Sequence, residues 1–359
     1  MSGETNNLIR PKHRDEPFRP KTYQGFKMGT NTKIEWTDNT INFWWGCVKV
    51  ANNPCCDNCY AEKHDKRNMT KSPTLHWGND VPRRAIKSAF SNLAKWQRKA
   101  VKENKRVKVF CMSMGDIFEK SMPLEQSSIR PNPLDGKDLK LTTTGEIRDI
   151  FFANISNGMY ANLDFQMLTK RPSNVTRMVP KSWLTNWPSN VWVGTSVGSQ
   201  DSADTLIPQL LRVPATIRFL SIEPLVSQID LAQFDQNLAP SVHLTWLDSI
   251  NWVIVGGESG HHARPMNPDW VRSIREQCTN ARVPFFFKQW GAWIAHEQWL
   301  SSGLDLADVP QGAYTNRKPC GADQVYRVGK KNAGRLLDGR EWNQMPIQVE
   351  MKADQAEGV

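Results

Sequence analysis

Six short apolar runs recur along the chain, at 107–113, 163–169, 191–196, 217–222, 252–255 and 284–287, and most of them end in polar residues. A strand with one wet face alternates apolar and polar, whereas a continuous apolar run suits a parallel strand covered on both faces. Helical patterns fill the gaps. Residues 84–104 place Ile86, Ala89, Phe90, Leu93, Trp96, Ala100 and Val101 on one face, opposite Lys and Arg. Asn267-Pro268 is a helix start, an N-cap candidate followed by proline, and behind it Trp270, Val271, Ile274, Cys278 and Ala281 form an apolar stripe. Ser202 is a candidate cap for a further helix through Leu206, Leu210 and Leu211. Strand–helix alternation predicts an α/β fold with a parallel sheet. Six or seven such units make it a partial or complete (β/α) barrel. The runner-up is an open doubly wound sheet, weakened because no Gly-rich dinucleotide fingerprint follows any strand.

The rest of the chain divides around this core. Residues 1–31 read as a flexible basic arm, broken by Pro11, Pro17, Pro20 and Gly25, and residues 32–299 as the barrel. Residues 300–359 read as an irregular C-terminal extension, and 121–147 as a polar insertion within the barrel. No run approaches the ~20 apolar residues of a membrane-spanning helix, and the first thirty residues lack the apolar centre of a signal peptide. The expectation is a soluble, cytoplasmic protein with no membrane partner. A net charge of +10 raises the prospect of a polyanionic partner such as DNA, although ordinary solubility charge accounts for it equally well. Fifteen tryptophans decide nothing by themselves, since Trp both stacks on bases and fills cores.

Four of the seven cysteines, Cys47, Cys55, Cys56 and Cys59, fall within thirteen residues. A disulfide framework would spread and pair its cysteines, so the clustering points to metal ligation. Cys56 and Cys59 form a C-x2-C pair, whose thiolates can reach one metal from a single tight loop, and Cys47 can close on it. Three readings compete: a structural zinc site with His64 as a fourth ligand, buried thiols of no further role, and a three-thiolate iron–sulfur cluster with one open iron. The cluster follows a strand-like segment at 33–36 or 41–45 and precedes the first clear helix. That puts it in the loop after the first strand, on the face where α/β barrels carry their function.

A cysteine triad in that loop resembles the radical S-adenosylmethionine (SAM) enzymes, with eight residues between the first two cysteines where three are usual. The wider gap resembles a phage-type branch of that family whose motif stands here as Gly46-Cys47 and Cys56-Asp-Asn-Cys59-Tyr60-Ala61-Glu62. Further matching landmarks are Leu168-Thr-Lys-Arg-Pro172, Phe219-Leu-Ser-Ile-Glu-Pro224, Val255-Gly-Gly-Glu258 and Phe287-Lys-Gln-Trp-Gly291. The likeness spans roughly residues 32–291. It implies a 4Fe-4S cluster on Cys47, Cys56 and Cys59, with SAM bound at the open iron. An external one-electron donor would then release a 5′-deoxyadenosyl radical that removes a substrate hydrogen.

The polar residues that follow the apolar runs supply candidates for the remaining roles. SAM carries a carboxylate, an amino group and a ribose, which suit cationic, acidic and hydroxyl partners respectively. Lys170 or Arg171 is expected at the carboxylate, Asp116 near the amino group, and Ser196 or Glu223 on the ribose side. Ser113 and Thr195 complete the cofactor set, and Glu258, Lys288 and Gln289 are the catalytic candidates; each could equally be a supporting or helix-capping residue. Met112 and Met114 are expected to pack against the cofactor or the core, and His261-His262 to lie in a solvated loop. Within the branch, the chain resembles the enzymes that isomerise α-glycinyl-thymidine during hypermodification of viral DNA. Nucleic-acid repair, radical methylation and a non-catalytic zinc-stabilised DNA binder are the alternatives.

Overall fold

The computed structural model describes residues 32–68, 75–131, 138–235, 237, 244–301, 317–320 and 323–346. The expected basic arm therefore lies outside the described residues. Seven parallel strands form the central sheet: β1 (Asn39–Ile41), β2 (Val107–Cys111), β3 (Leu163–Thr169), β4 (Val191–Ser196), β5 (Ile217–Ile222), β6 (Trp252–Gly256) and β7 (Phe285–Gln289). Each strand lies beside the next one in sequence, and β1 and β7 form the two edges. A doubly wound sheet would reverse its strand order at a switch point, so this uninterrupted order rules out that alternative and leaves a partial (β/α) barrel.

The helices follow from local signals. In chain order they are α1 (Tyr60–Asn68), α2 (Ala89–Lys102), α3 (Thr144–Ser156), α4 (Pro172–Met178), α5 (Gln200–Leu211) and α6 (Pro268–Asn280). α2 buries Ala89, Leu93, Trp96 and Ala100, while Val101, expected on the same face, is exposed. α6 starts as the sequence signals, with Asn267 accepting a hydrogen bond from the Asp269 N–H. α5 does not start at Ser202. Ser199 is its cap, and Ser202 is the third residue of a capping box that reaches back to it. The supposed insertion folds into an antiparallel hairpin, Pro123–Pro131 with Asp138–Thr143, and then into α3, capped by Thr143 and Glu146.

Strand alternation sorts the core into two layers. Val253, Val255, Phe285 and Phe287 face the helices in the larger cluster. Trp36, Phe110, Trp192, Phe219, Trp252, Ile254 and Phe286 fill the inside of the curl. Three of the tryptophans are thus interior filler, unavailable for stacking on bases. A smaller antiparallel sheet joins Trp293–Ala295 to Asp323–Arg327 and Arg317–Cys320. Among the described residues no helix is long and apolar enough to cross a membrane.

Candidate functional site

The carboxyl ends of the strands form one mouth, and the cysteine loop lies over it. Gly46 opens the loop at φ +115°, and a Cβ there would stand 2.2 Å from the His76 carbonyl oxygen and 2.6 Å from Arg83 Cδ. Only glycine fits such a position. Gly46→Ala is expected to lose about 2–4 kcal/mol of stability, read as a lower denaturant midpoint at unchanged slope.

Val48, next to Cys47, is held through both its backbone groups. Its N–H donates to Glu119 Oε1 at 2.7 Å, and its carbonyl accepts from Arg171 Nη2 at 2.6 Å. Glu119 is in turn clamped by Arg83, at 3.0 Å from Nε and 2.8 Å from Nη2, and both side chains are buried. Arg171 also reaches Cys47 Sγ at 3.7 Å and Asp116 at 2.8 Å. Burial pushes the Cys47 thiol up to about 12, against the pull of the Arg171 charge. Burial likewise raises Cys55 to about 12.

The second half of the loop is tied to the opposite side of the mouth. Asn53 donates to the Ser196 carbonyl at the end of β4. Arg264, in the loop after β6, reaches the Pro54 carbonyl at 2.7 Å and Asp57 at 2.9 Å while pairing with Glu258 at 2.8 Å. Asn58 donates to Glu258 Oε2 at 3.2 Å and to the His262 carbonyl at 3.0 Å.

Lys170, which follows β3, sits among the thiols. Burial works against its charge, and nearby Cys55, Cys56, Cys59 and Cys47, once in their thiolate forms, would hold its pKa above the ordinary lysine value. Its Nζ makes no hydrogen bond or ion pair among the described residues. Cys47 and Cys59 pack against one small apolar cluster that includes Met114 and Trp45. Among the described residues no three His, Cys, Asp or Glu side chains are close enough together to hold a metal ion. The thiols thus share a region and a facing cation without being drawn to one centre. Their chemistry suits a thiophilic group: three sulfur donors beside one ammonium, at the mouth of an α/β sheet.

The matched family model, described as a protein of unknown function (DUF5131), covers residues 31–129 and 143–346. This chain belongs to the DUF5131 family. No curated protein matches it. Among solved structures, a spore photoproduct lyase variant is a distant likeness, with TM-score 0.38 and 10% identity over 86% of this chain and 73% of that one.

In this DUF5131 chain several expected site residues turn out to be occupied by the fold itself. Both Asp116 oxygens are engaged, by the Thr169 hydroxyl at 2.8 Å, the Phe118 and Lys170 N–H groups at 3.0 Å, and Arg171. The Thr195 hydroxyl donates to the Thr169 carbonyl, and Ser113 Oγ accepts from Asn42 at 2.9 Å. Ser196 is buried. Glu258 is taken up by Arg264 and Asn58. Glu223 accepts from Lys288 at 2.7 Å and Gln289 at 3.1 Å, so these three gather on the β5–β7 side of the mouth, and Gln289 Oε1 there is buried without a partner. His64 lies edge-on to Trp45, whose cluster also holds Cys47 and Cys59, and His261 and His262 are exposed. Met112 and Met114 are buried. Sequence reasoning missed Arg83, Glu119, Asn53, Asn58 and Arg264. Asn58 lies inside the C-x2-C pair but is not one of its ligand positions, the others lie outside the quoted motifs, and each acts on residues far away in the chain.

Proposed function

We propose that this protein is a radical SAM enzyme acting on nucleic acid, with a 4Fe-4S cluster held by Cys47, Cys56 and Cys59. The observation that carries the reading is a loop bearing four cysteines, tied to Ser196 and Arg171 at the carboxyl ends of a seven-stranded parallel sheet, with Cys47 and Cys59 in one small cluster. When bound, such a cluster together with SAM supplies one-electron chemistry able to remove an unactivated hydrogen atom. The chain's own residues bind and orient. The sulfurs are not preorganised, so they must converge on loading, which couples assembly of the site to the loop. Lys170 presents a free ammonium and is the residue suited to the SAM carboxylate. Asp116 and Arg171 act as a rigid pair that fixes the loop bearing Cys47, and Lys288 neutralises Glu223 on the far side of the mouth, where Gln289 leaves one acceptor open.

The finer reading, resting on the resemblance, is isomerisation of N-linked α-glycinyl-thymidine to its Cα-linked form in viral DNA. A radical at the glycine Cα would be stabilised by the flanking nitrogen and carboxyl groups. The net charge of +10 favours a phosphodiester partner, whose affinity should fall as salt rises. The basic arm is proposed as part of that contact.

Iron-loaded, chemically reduced protein should release methionine and 5′-deoxyadenosine from SAM even without nucleic acid. Absence of this cleavage in protein carrying a full cluster would overturn the radical SAM reading. For the substrate, nucleosides from DNA treated with enzyme, SAM and reductant should show a product of unchanged mass and altered retention and fragmentation. A methyl mass gain, or restored thymine from a photolesion, would replace isomerisation with methylation or repair.

A further inference from the structure

We infer that Arg264 is a positioning residue that latches the second half of the cysteine loop across the open mouth of the half-barrel. The sheet's edge strands β1 and β7 do not pair, so no ladder of backbone hydrogen bonds closes the curl. The loop after β1 must be held from the other side by side chains. Arg264 does this with all three guanidinium nitrogens. Nε and Nη2 take Glu258, Nη2 also takes the Pro54 carbonyl, and Nη1 takes Asp57. The two loop acceptors flank Cys55 and Cys56 in sequence. Glu258 is buried and engages Asn58 as well, so one ion pair grips the loop at three points.

The anchor is itself braced from behind. Arg327 donates to the Gly260 and His261 carbonyls, and Trp293 Nε1 donates to the Ala263 carbonyl at 2.7 Å. Both residues belong to the small antiparallel sheet. A line of contacts therefore runs from that sheet through residues 260–264 to the cysteine loop. Cys47 is fixed separately, by Glu119 and Arg171 acting on Val48. Cys47 thus has a clamp of its own, and Arg264 acts, alongside the Asn53 bond to Ser196, on the half that carries Cys55, Cys56 and Cys59.

This role in holding a cluster rests on the reading proposed above, but its test does not. Iodoacetamide alkylation of the metal-free full-length chain, followed residue by residue by mass spectrometry, reports how often each cysteine opens to solvent. In Arg264→Ala, alkylation of Cys55 and Cys56 should rise by roughly tenfold or more, because charge-assisted bonds to the loop are lost. Cys47, with its own clamp, and Cys278, buried in the outer core, should keep their parent rates. Arg264→Lys, which retains the charge but cannot fork between acceptors, should fall between the two. Unchanged Cys55 and Cys56 rates would overturn the inference. So would a parallel rise at Cys278, which would make Arg264 a support of the whole fold. Neither outcome depends on whether iron, zinc or nothing fills the site.

Discussion

Cys56→Ala should abolish cluster assembly and reductive SAM cleavage while leaving a folded chain. The thiol is buried in a short turn at Pro54–Cys56, where an alanine removes one sulfur and little volume. A core truncation of that size costs on the order of 1 kcal/mol, well below the stability of a domain of this length. Loss of one of three thiolate ligands, in contrast, removes the centre outright. The expected result is a colourless protein with the thermal transition and circular dichroism of the parent and no 5′-deoxyadenosine. Cys55→Ala, next to it in the same turn, should retain iron. If the Cys55 variant loses iron and the Cys56 variant keeps it, the ligand set is wrong by one position.

Glu119→Ala should be the most damaging single change away from the cysteines. It leaves the Arg83 guanidinium buried without its counter-ion, a loss of about 3–5 kcal/mol. It also frees the Val48 N–H, which positions Cys47. These two consequences can be separated. In Arg83→Met/Glu119→Leu the buried charges disappear together, and much of the stability should return, as buried ion pairs replaced by apolar residues commonly allow. The Val48 N–H still lacks its acceptor, so iron loading should stay impaired. Recovery of both stability and loading would show that Glu119 serves the fold alone.

The fold was legible where the burial pattern is simple. Six of the seven sheet strands are largely apolar runs, because helices cover one face and a plug of Trp, Phe and Ile fills the other. β1 was not legible. Asn39-Thr40-Ile41 is short and two-thirds polar, and it overlaps the favoured segment 41–45 only at Ile41. The cap at Ser202 was misplaced because a capping box carries two serines, and composition does not say which comes first.

Of the candidate site, the sequence showed the cysteine loop, by its local clustering, and the adjacent Lys170 and Arg171, by their place after a strand. What holds them is long-range. Arg83 meets Glu119 across 36 residues and Arg264 meets Asp57 across 207, and no local pattern encodes such pairs. The same limit explains Asp116 and Glu258. Their position at strand ends marks them as rim residues, but only the folded chain shows their carboxylates already engaged by Arg171 and Arg264.

Quantifying iron, acid-labile sulfide and zinc in anaerobically purified and reconstituted protein tests the central claim most directly. The account predicts a brown protein with about four irons and four sulfides per chain, falling to background in Cys47→Ala, Cys56→Ala and Cys59→Ala alike. A colourless chain holding about one zinc, unmoved by reconstitution, would contradict it and leave a zinc-stabilised binding protein in its place.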